Sequence, residues 1–230
     1  PEDVSIVIAA PSTPKIDFGI GLLAASVKEA GLEYHGLEPQ FISYGEVRVI
    51  KIVLDAQEVS KEGRGEEGFT IVSSGRITTI TGQEEAGVLY GCKELADRIR
   101  ASRGIPRDLN FADAPKMTLR GVPLFLMTAG SYDFPITERQ FPWFYDKALW
   151  TKTLDFFFEH RFNYISFWNG HPFPYFLRLT KYPEVKELSA AELDRNIELM
   201  GWLSREAEKR NIWLLFHFYN IHVPRSFAEA

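Results

Sequence analysis

Three apolar strands separated by two amphipathic helices limit most strongly what this chain can fold into. The strands are predicted over Arg120–Met127, Phe162–Trp168 and Ile212–Tyr219, and they are apolar on both faces. The helices are predicted over Asp146–Arg161 and from a capping box at Ser189 to about Arg210, with apolar residues every three to four positions. Such strands, joined by helices, are typical of a parallel sheet covered by helices. We therefore expect an α/β fold here.

Residues 1–112 are predicted to form a separate α/β domain. It contains strands over Val4–Ala9 and Val47–Leu54, a helix near residues 17–30 that ends at Gly31, and a hairpin that turns at Ser74-Gly75. A second capping box, Thr81-Gly82-Gln83-Glu84, is expected to open a helix whose apolar face includes Cys92. Residues 101–116 lack periodicity and contain glycine and proline, so we place the domain boundary there and a second domain over 117–230.

The composition disfavours two classes of partner. The net charge is −5 and the isoelectric point is about 5.6, whereas nucleic acids and anionic membranes require a basic surface. No apolar run approaches the roughly 18 residues of a membrane span. We therefore expect neither nucleic acid nor membrane as a partner. The single cysteine cannot form a disulfide within the chain.

Polar and aromatic residues follow the second and third apolar strands. The stretches "FWNGHPF" (167–173) and "FHFYNIHVP" (216–224) share one order of residues: two consecutive aromatic residues, an asparagine, one further residue and a histidine. In parallel βα architectures the site lies in the loops at the carboxyl ends of the strands. Amide and imidazole groups both donate and accept hydrogen bonds, which suits sugar hydroxyls. The predicted ligand-binding residues are Trp168, Asn169, His171, His217, Tyr219 and Asn220.

Each of these residues also has a structural interpretation. The asparagines and His171 could instead satisfy the loop backbone, and Trp168 and Tyr219 could pack in the wall of a barrel instead of stacking on a sugar ring. His217 either faces the mouth of a barrel or is a hydrogen-bonded core residue. A zinc site on His171, His217 and His222 is a weaker alternative, because no carboxylate is placed beside them.

Two segments resemble families of glycoside hydrolases. The segment "GQEEAGVLYGCKELADRIR" (82–100) resembles the last helix of the small α/β domain that precedes the barrel in family 20 hexosaminidases and family 67 α-glucuronidases. The segment "DAPKMTLRGVPLFL" (113–126) resembles the Ala-Pro and Arg-Gly pattern with which the first barrel strand of those enzymes begins. The resemblance implies a zincin-like first domain, here without His-Glu-x-x-His, followed by a (β/α)₈ barrel.

The resemblance also implies a function. It points to an exo-acting glycoside hydrolase with a carbohydrate substrate and no cofactor or metal, in a secreted or periplasmic location. Arg120 matches the arginine that reaches the hydroxyls of the terminal sugar in family 20, so its guanidinium is expected in the barrel mouth. The chain departs from family 20 after this point, since Val122–Met127 is wholly apolar where that family has an Asp and an Arg.

Three strands are too few for a barrel, which needs about 250 residues. In the families that the chain resembles, the catalytic carboxylates lie on the fourth strand or later. We therefore expect the rest of the same polypeptide to complete the barrel and to supply them. Asp133 and Glu138 are pocket candidates in the loop after the first apolar strand, whereas Asp146 is interpreted as a helix N-cap. The alternative function is a non-catalytic carbohydrate-binding or structural module, and a zinc-dependent hydrolase is the weaker alternative.

Overall fold

The chain divides into two compact units, Pro1–Thr118 and Leu119–Ala230. The computed structural model describes residues 2–35, 47–57, 65–127, 135–219, 223 and 225–229. Each unit has its own sheet, which agrees with the predicted α/β class. The division falls just after the predicted boundary segment 101–116, because a short strand within that segment pairs into the first sheet.

In its described residues, the first unit has a six-stranded mixed sheet and two long helices. The parallel part contains β1 to β3 and β5, and β4 pairs antiparallel with β5 and β6. The spatial order is β2-β1-β3-β5-β4-β6. The elements are β1 (Asp3–Ala9), α1 (Pro14–Glu29), β2 (Glu33–His35), β3 (Arg48–Leu54), β4 (Phe69–Ser74), β5 (Ile77–Gly82), α2 (Glu85–Ser102) and β6 (Asn110–Asp113).

Glycines let helix α2 approach the sheet very closely. A Cβ added at Gly87 would overlap the carbonyl oxygen of Gly68, and one added at Gly91 would overlap the side chain of Ile80. The Gly-x-x-Tyr-Gly pattern is therefore a packing requirement of the first unit. Cys92 lies on the same helix, is fully buried against Gly19 of α1, and has its thiol pKa raised by that burial. Its predicted place in the core is confirmed.

Two local predictions for this unit are confirmed and one is wrong. Gly31 follows α1 with a positive φ of 76°, and Gly75 turns the β4–β5 hairpin with a φ of 61°. The capping box at Thr81–Glu84 is not formed. Strand β5 continues through Gly82, so Thr81 is in the sheet and Glu84 becomes the N-cap residue of α2. The Glu84 carboxylate accepts from the backbone N–H of Glu67 instead, at 3.2 Å.

The second unit contains three parallel strands in the order β7-β8-β9. Long crossovers that contain helices connect them, as the sequence predicts. The N-caps at Asp146 and Ser189 are confirmed, the second as a complete capping box with Glu192. The elements are β7 (Gly121–Phe125), a 3₁₀ turn (Pro142–Tyr145), α3 (Lys147–Glu159), β8 (Tyr164–Trp168), α4 (Phe173–Phe176), α5 (Ala190–Lys209), β9 (Trp213–His217) and α6 (Arg225–Ala228).

The two faces of this sheet have different environments. Ile165 and Phe167 of β8 and Phe216 of β9 pack into an apolar cluster with residues of α3 and α5. Side chains alternate between faces along a strand, so their neighbours project from the opposite face. On that open face Trp213 is 66% exposed and Phe125 is 55% exposed. Among the residues that the structure describes, helices thus cover one face of this sheet and leave the other face open.

A buried asparagine joins the amino ends of all three strands. The side-chain oxygen of Asn163 accepts from the backbone N–H of Arg120 at 2.8 Å, and the Asn163 N–H donates to the Arg120 carbonyl at 2.7 Å. Its own carbonyl accepts from the Trp213 N–H at 2.8 Å. Asn163 therefore fixes the starting point of β8 relative to both neighbouring strands.

In the described parts of the chain, no helix has the length and hydropathy that crossing a membrane would require.

Candidate functional site

A row of three rings crosses the carboxyl ends of the three parallel strands. Phe125, Trp168 and His217 are the last residues of β7, β8 and β9, and they are register partners. The Trp168 ring lies 6.0 Å from that of Phe125, tilted by 40°, and 5.0 Å from that of His217, nearly parallel at 20°. Because partners in register share a face, all three rings lie on the open face of the sheet. We call these three residues the aromatic row.

Tyr219 extends this surface from the loop after β9. Its ring meets that of Trp168 edge-on, with centroids 6.0 Å apart, and its backbone N–H donates to the carbonyl of Gly170 at 3.1 Å. Trp168 and Tyr219, each predicted to stack on a sugar ring, are therefore neighbours. The two residues are not equivalent in the sheet, however. Trp168 is in register with His217, so the similar stretches after β8 and β9 are offset by two positions.

The structure favours one of the two environments that the sequence leaves open for His217. Its side chain is exposed and stacked on Trp168 on the open face, and it is not part of the buried cluster under the helices. An exposed imidazole beside an indole combines hydrogen-bonding atoms with a flat apolar surface. Sugars present both kinds of group, since their rings have hydroxyls at the edge and C–H groups on the faces.

Asn169 hydrogen-bonds to the loop backbone, which is the structural alternative that the sequence left open. The side chain is 1% exposed, its Nδ2 donates to the Leu126 carbonyl at 2.8 Å, and its Oδ1 accepts from the His171 N–H at 3.0 Å. Both ends of the amide are thus engaged by backbone groups. Asn169 ties the loop after β8 to the end of β7, and its predicted contact with ligand has no support in this geometry.

His171 lies beside an apolar pocket and not in the aromatic row. The imidazole meets the Phe173 ring edge-on at 5.7 Å. The pocket has a volume of about 340 Å³ and also includes Leu177, Tyr182 and Val223 in its lining. A polar sugar edge would lose hydrogen bonds to water there without replacement. Binding of sugar hydroxyls by His171 stays a prediction.

The predicted orientation of Arg120 is wrong. Arg120 precedes β7, and its Nε donates to the carbonyl of Arg161 at 2.7 Å, just before β8 begins. The guanidinium is therefore held at the amino ends of the strands. A five-residue strand spans roughly 16 Å, so the aromatic row lies at the other end of the sheet. Arg120 is not part of the candidate site.

The remaining predicted residues divide into two groups. Asn220, His222 and Asp133 lie outside the described residues. Glu138 is exposed and pairs with Arg195 of α5 at 2.6 Å, and its place in a pocket stays a prediction. Among the described residues, one group of three side chains is close enough together to hold a metal ion, and it is formed by Asp3, Glu33 and His35 of the first unit. Neither His171 nor His217 belongs to such a group.

Two residues of the site region were not anticipated from the sequence. Phe125 contributes the ring on β7. Sequence analysis predicted that this strand would run to Met127, and so did not identify Phe125 as its last residue. Asn196 of α5 is 1% exposed and binds two loops on the carboxyl side of the sheet. No local pattern reveals Asn196, because a lone polar residue on a helix is normally exposed.

Comparison with solved structures shows that the fold of this chain is similar to that of parts of glycoside hydrolases. The whole chain superimposes on 33% of a GH138 enzyme targeting pectin rhamnogalacturonan II, with 33% sequence identity and a TM-score of 0.84. A β-N-acetylhexosaminidase from Bacteroides fragilis matches 94% of this chain at 15% identity and a TM-score of 0.55. A Flavobacterium johnsoniae chitobiase of family GH20 matches 94% at 16% identity and a TM-score of 0.52.

The last two matches show similarity of fold alone. No sequence-family model matches the chain, and no curated protein matches it. The chain spans 33%, 40% and 31% of the three solved chains. It is therefore similar in structure to the N-terminal part of glycoside hydrolases that are roughly two to three times its length.

Proposed function

We propose that this chain belongs to an exo-acting glycoside hydrolase and forms one side of its carbohydrate-binding site. The first unit is the small zincin-like domain, and β7, β8 and β9 are the first three strands of a (β/α)₈ barrel. The observation that carries the proposal is the aromatic row, in which Phe125, Trp168 and His217 lie in register at the carboxyl ends of parallel strands. Sites of parallel βα folds are built at this edge of the sheet.

The chemistry of the aromatic row fits a sugar ring. Trp168 offers a flat face for the C–H groups of a pyranose, and His217 offers nitrogen atoms to hydroxyls at the ring edge. Stacking of this kind contributes about 0.5–1.5 kcal/mol beyond the buried area. The chain's own residues would thus bind and orient substrate. Bond cleavage requires a pair of carboxyl groups roughly 5–10 Å apart, and we do not assign that pair to this chain.

Pectic oligosaccharides are the first substrates to test, since the 33% identical enzyme targets pectin rhamnogalacturonan II. The protein, expressed from its full natural reading frame, is incubated with rhamnogalacturonan II oligosaccharides and, separately, with β-N-acetylhexosaminides. We expect release of a terminal sugar from one set. Trp168→Ala should raise the dissociation constant about 2- to 10-fold or more, which corresponds to the stacking energy.

Two outcomes would change the proposal. Binding without any release of sugar would favour the non-catalytic binding module. Unaltered affinity in Trp168→Ala would remove the aromatic row from the site. Trp202→Phe is a suitable control, since Trp202 packs against the helix-side cluster and is not part of the open face.

A further inference from the structure

One turn of helix α5 contacts two loops on the carboxyl side of the sheet. Three consecutive residues make these contacts, each to a different partner. Asp194 pairs with Arg178, which follows α4, and Arg195 pairs with Glu138 in the loop after β7 at 2.6 Å. These two ion pairs are exposed, and exposed pairs contribute little to stability. The third residue, Asn196, is buried and makes the more consequential contacts.

The Asn196 amide joins the two loops directly. Its Nδ2 donates to the carbonyl of Ile136, in the loop between β7 and α3, at 2.8 Å. The same nitrogen donates to the carbonyl of Tyr175, in α4 after β8, at 3.0 Å. Its Oδ1 accepts from the Tyr145 hydroxyl at 2.5 Å. Every hydrogen-bonding group of the side chain is thus engaged by a segment that follows β7 or β8.

Asn169 completes the arrangement at the other end of the same loop. It fixes the start of the loop after β8 to Leu126, while Asn196 fixes its α4 end to Ile136. The loop held at these two points runs from Asn169 to Tyr175, contains His171 and directly follows Trp168. Buried, fully paired polar side chains hold a single local geometry, because any other geometry leaves donors unpaired at about 1–3 kcal/mol each.

We propose that Asn196 is a positioning residue that fixes the loops after β7 and β8 relative to each other and so shapes the binding surface beside Trp168. It acts through Ile136, Tyr175 and Tyr145 and does not touch the ligand. This inference rests on the proposed carbohydrate-binding function. Burial raises the pKa of Tyr145 to about 12, so the phenol remains a hydrogen-bond donor throughout the neutral range.

The test uses the full natural protein and two variants of different severity. Asn196→Asp keeps the side-chain size and Oδ1 but loses both N–H donors to Ile136 and Tyr175. Tyr145→Phe removes one hydroxyl, which donates to the Oδ1 of Asn196 and also lies within hydrogen-bonding distance of the Ile136 carbonyl, at 3.0 Å. This milder change keeps the test decisive if the first variant fails to fold. The matched control is Arg210→Met, which removes a buried polar network at the opposite end of α5, where Arg210 binds Asp155 and Glu206.

Amide hydrogen exchange gives a readout that does not depend on activity. In Asn196→Asp we expect exchange of residues 135–145 and 169–176 to be at least about tenfold faster, as the loss of a buried hydrogen bond implies. Exchange within β8 should be unchanged. Tyr145→Phe should shift the same two segments by a smaller factor, and Arg210→Met should leave both unaffected.

Kinetics with a glycan substrate provide the second readout. A positioning role predicts that KM rises about fivefold or more in Asn196→Asp while kcat changes less than about twofold, because ground-state binding is what the loops shape. A uniform rise of exchange over the whole second unit, or unchanged exchange in both loops, would overturn the inference. If the wild-type protein processes no glycan, the proposed function fails, and the exchange data still decide the positioning role.

Discussion

The indole of Trp168 stacks on the imidazole of His217 across two neighbouring parallel strands, with 5.0 Å between ring centroids and 20° between ring planes. Trp168 is the last residue of β8, and His217 is the last residue of β9. The pair brings an apolar face and hydrogen-bonding nitrogen atoms together on the open face of the sheet. Replacing each component separately therefore measures what it contributes.

His217→Phe should weaken carbohydrate binding while keeping the ring stack. A phenyl ring can still lie against Trp168, but it offers no nitrogen to a hydroxyl. We expect the binding free energy to fall by about 0.5–1.5 kcal/mol, which is roughly a two- to tenfold rise in dissociation constant measured by calorimetry. His217→Ala should cost more, because it removes the stack as well. Equal affinities of wild type and His217→Phe would show that the imidazole makes no hydrogen bond to the ligand.

Gly87→Ala and Gly21→Ala should change stability in opposite directions. A Cβ at Gly87 would overlap the backbone of Gly68, so helix α2 must move from the sheet, at a cost of about 1–3 kcal/mol or more. Gly21 lies in helix α1 with no atom within 4 Å of an added Cβ. Alanine is there expected to stabilise by about 0.5–1 kcal/mol. Urea unfolding measures both, and a destabilised Gly21→Ala would contradict this packing description.

Acid should weaken the second unit through Glu206. Burial acts to raise the pKa of this carboxyl, but hydrogen bonds from Lys209 and Arg210 outweigh it, and the pKa lies below its ordinary value of 4.5. A carboxyl whose pKa is lowered in the folded state stabilises that state above about pH 4.5. This contribution is lost as the pH falls through the lowered pKa. We expect the free energy of unfolding to decrease over that range.

Two glutamine variants separate this effect from the general response to acid. Glu206→Gln should be less stable than wild type near neutral pH and should lose less stability on acidification. Glu208→Gln makes the same change two residues along the helix at an exposed position, and should behave like wild type. Urea unfolding between about pH 3 and 7 covers the titration of carboxylates. Parallel curves for Glu206→Gln and wild type would exclude Glu206 as a source of acid sensitivity.

Local signals in the sequence predicted the elements of the second unit well. Apolar periodicity and the caps at Asp146 and Ser189 set the helices, because such caps depend on residues within one turn of each other. The capping box at Thr81 failed because pairing of β5 with its neighbours extended the strand through Gly82. A cap motif is outweighed where the sheet already binds the same backbone groups.

Contacts between distant residues account for what the sequence could not reveal. Asn169 binds the carbonyl of Leu126, which is 43 residues away, and only the fold brings the two together. The register that pairs Trp168 with His217 depends on how the whole crossover through α5 packs, so the similar stretches after β8 and β9 suggested an alignment offset by two. Strand β6 has four residues, and pairing with β4 defines it.

The two asparagines that flank strand β8 have a consequence for how the sheet assembles. Asn163 binds Arg120 before the strand, and Asn169 binds Leu126 after it. A side-chain hydrogen bond therefore fixes the register of β8 against β7 at each end of the strand. Sliding β8 by one residue would turn Trp168 toward the helices and expose Phe167. Both amides would then miss their partners, and two separate errors would have to occur together. A misaligned register of β8 against β7 would thus lose hydrogen bonds at both ends of the strand.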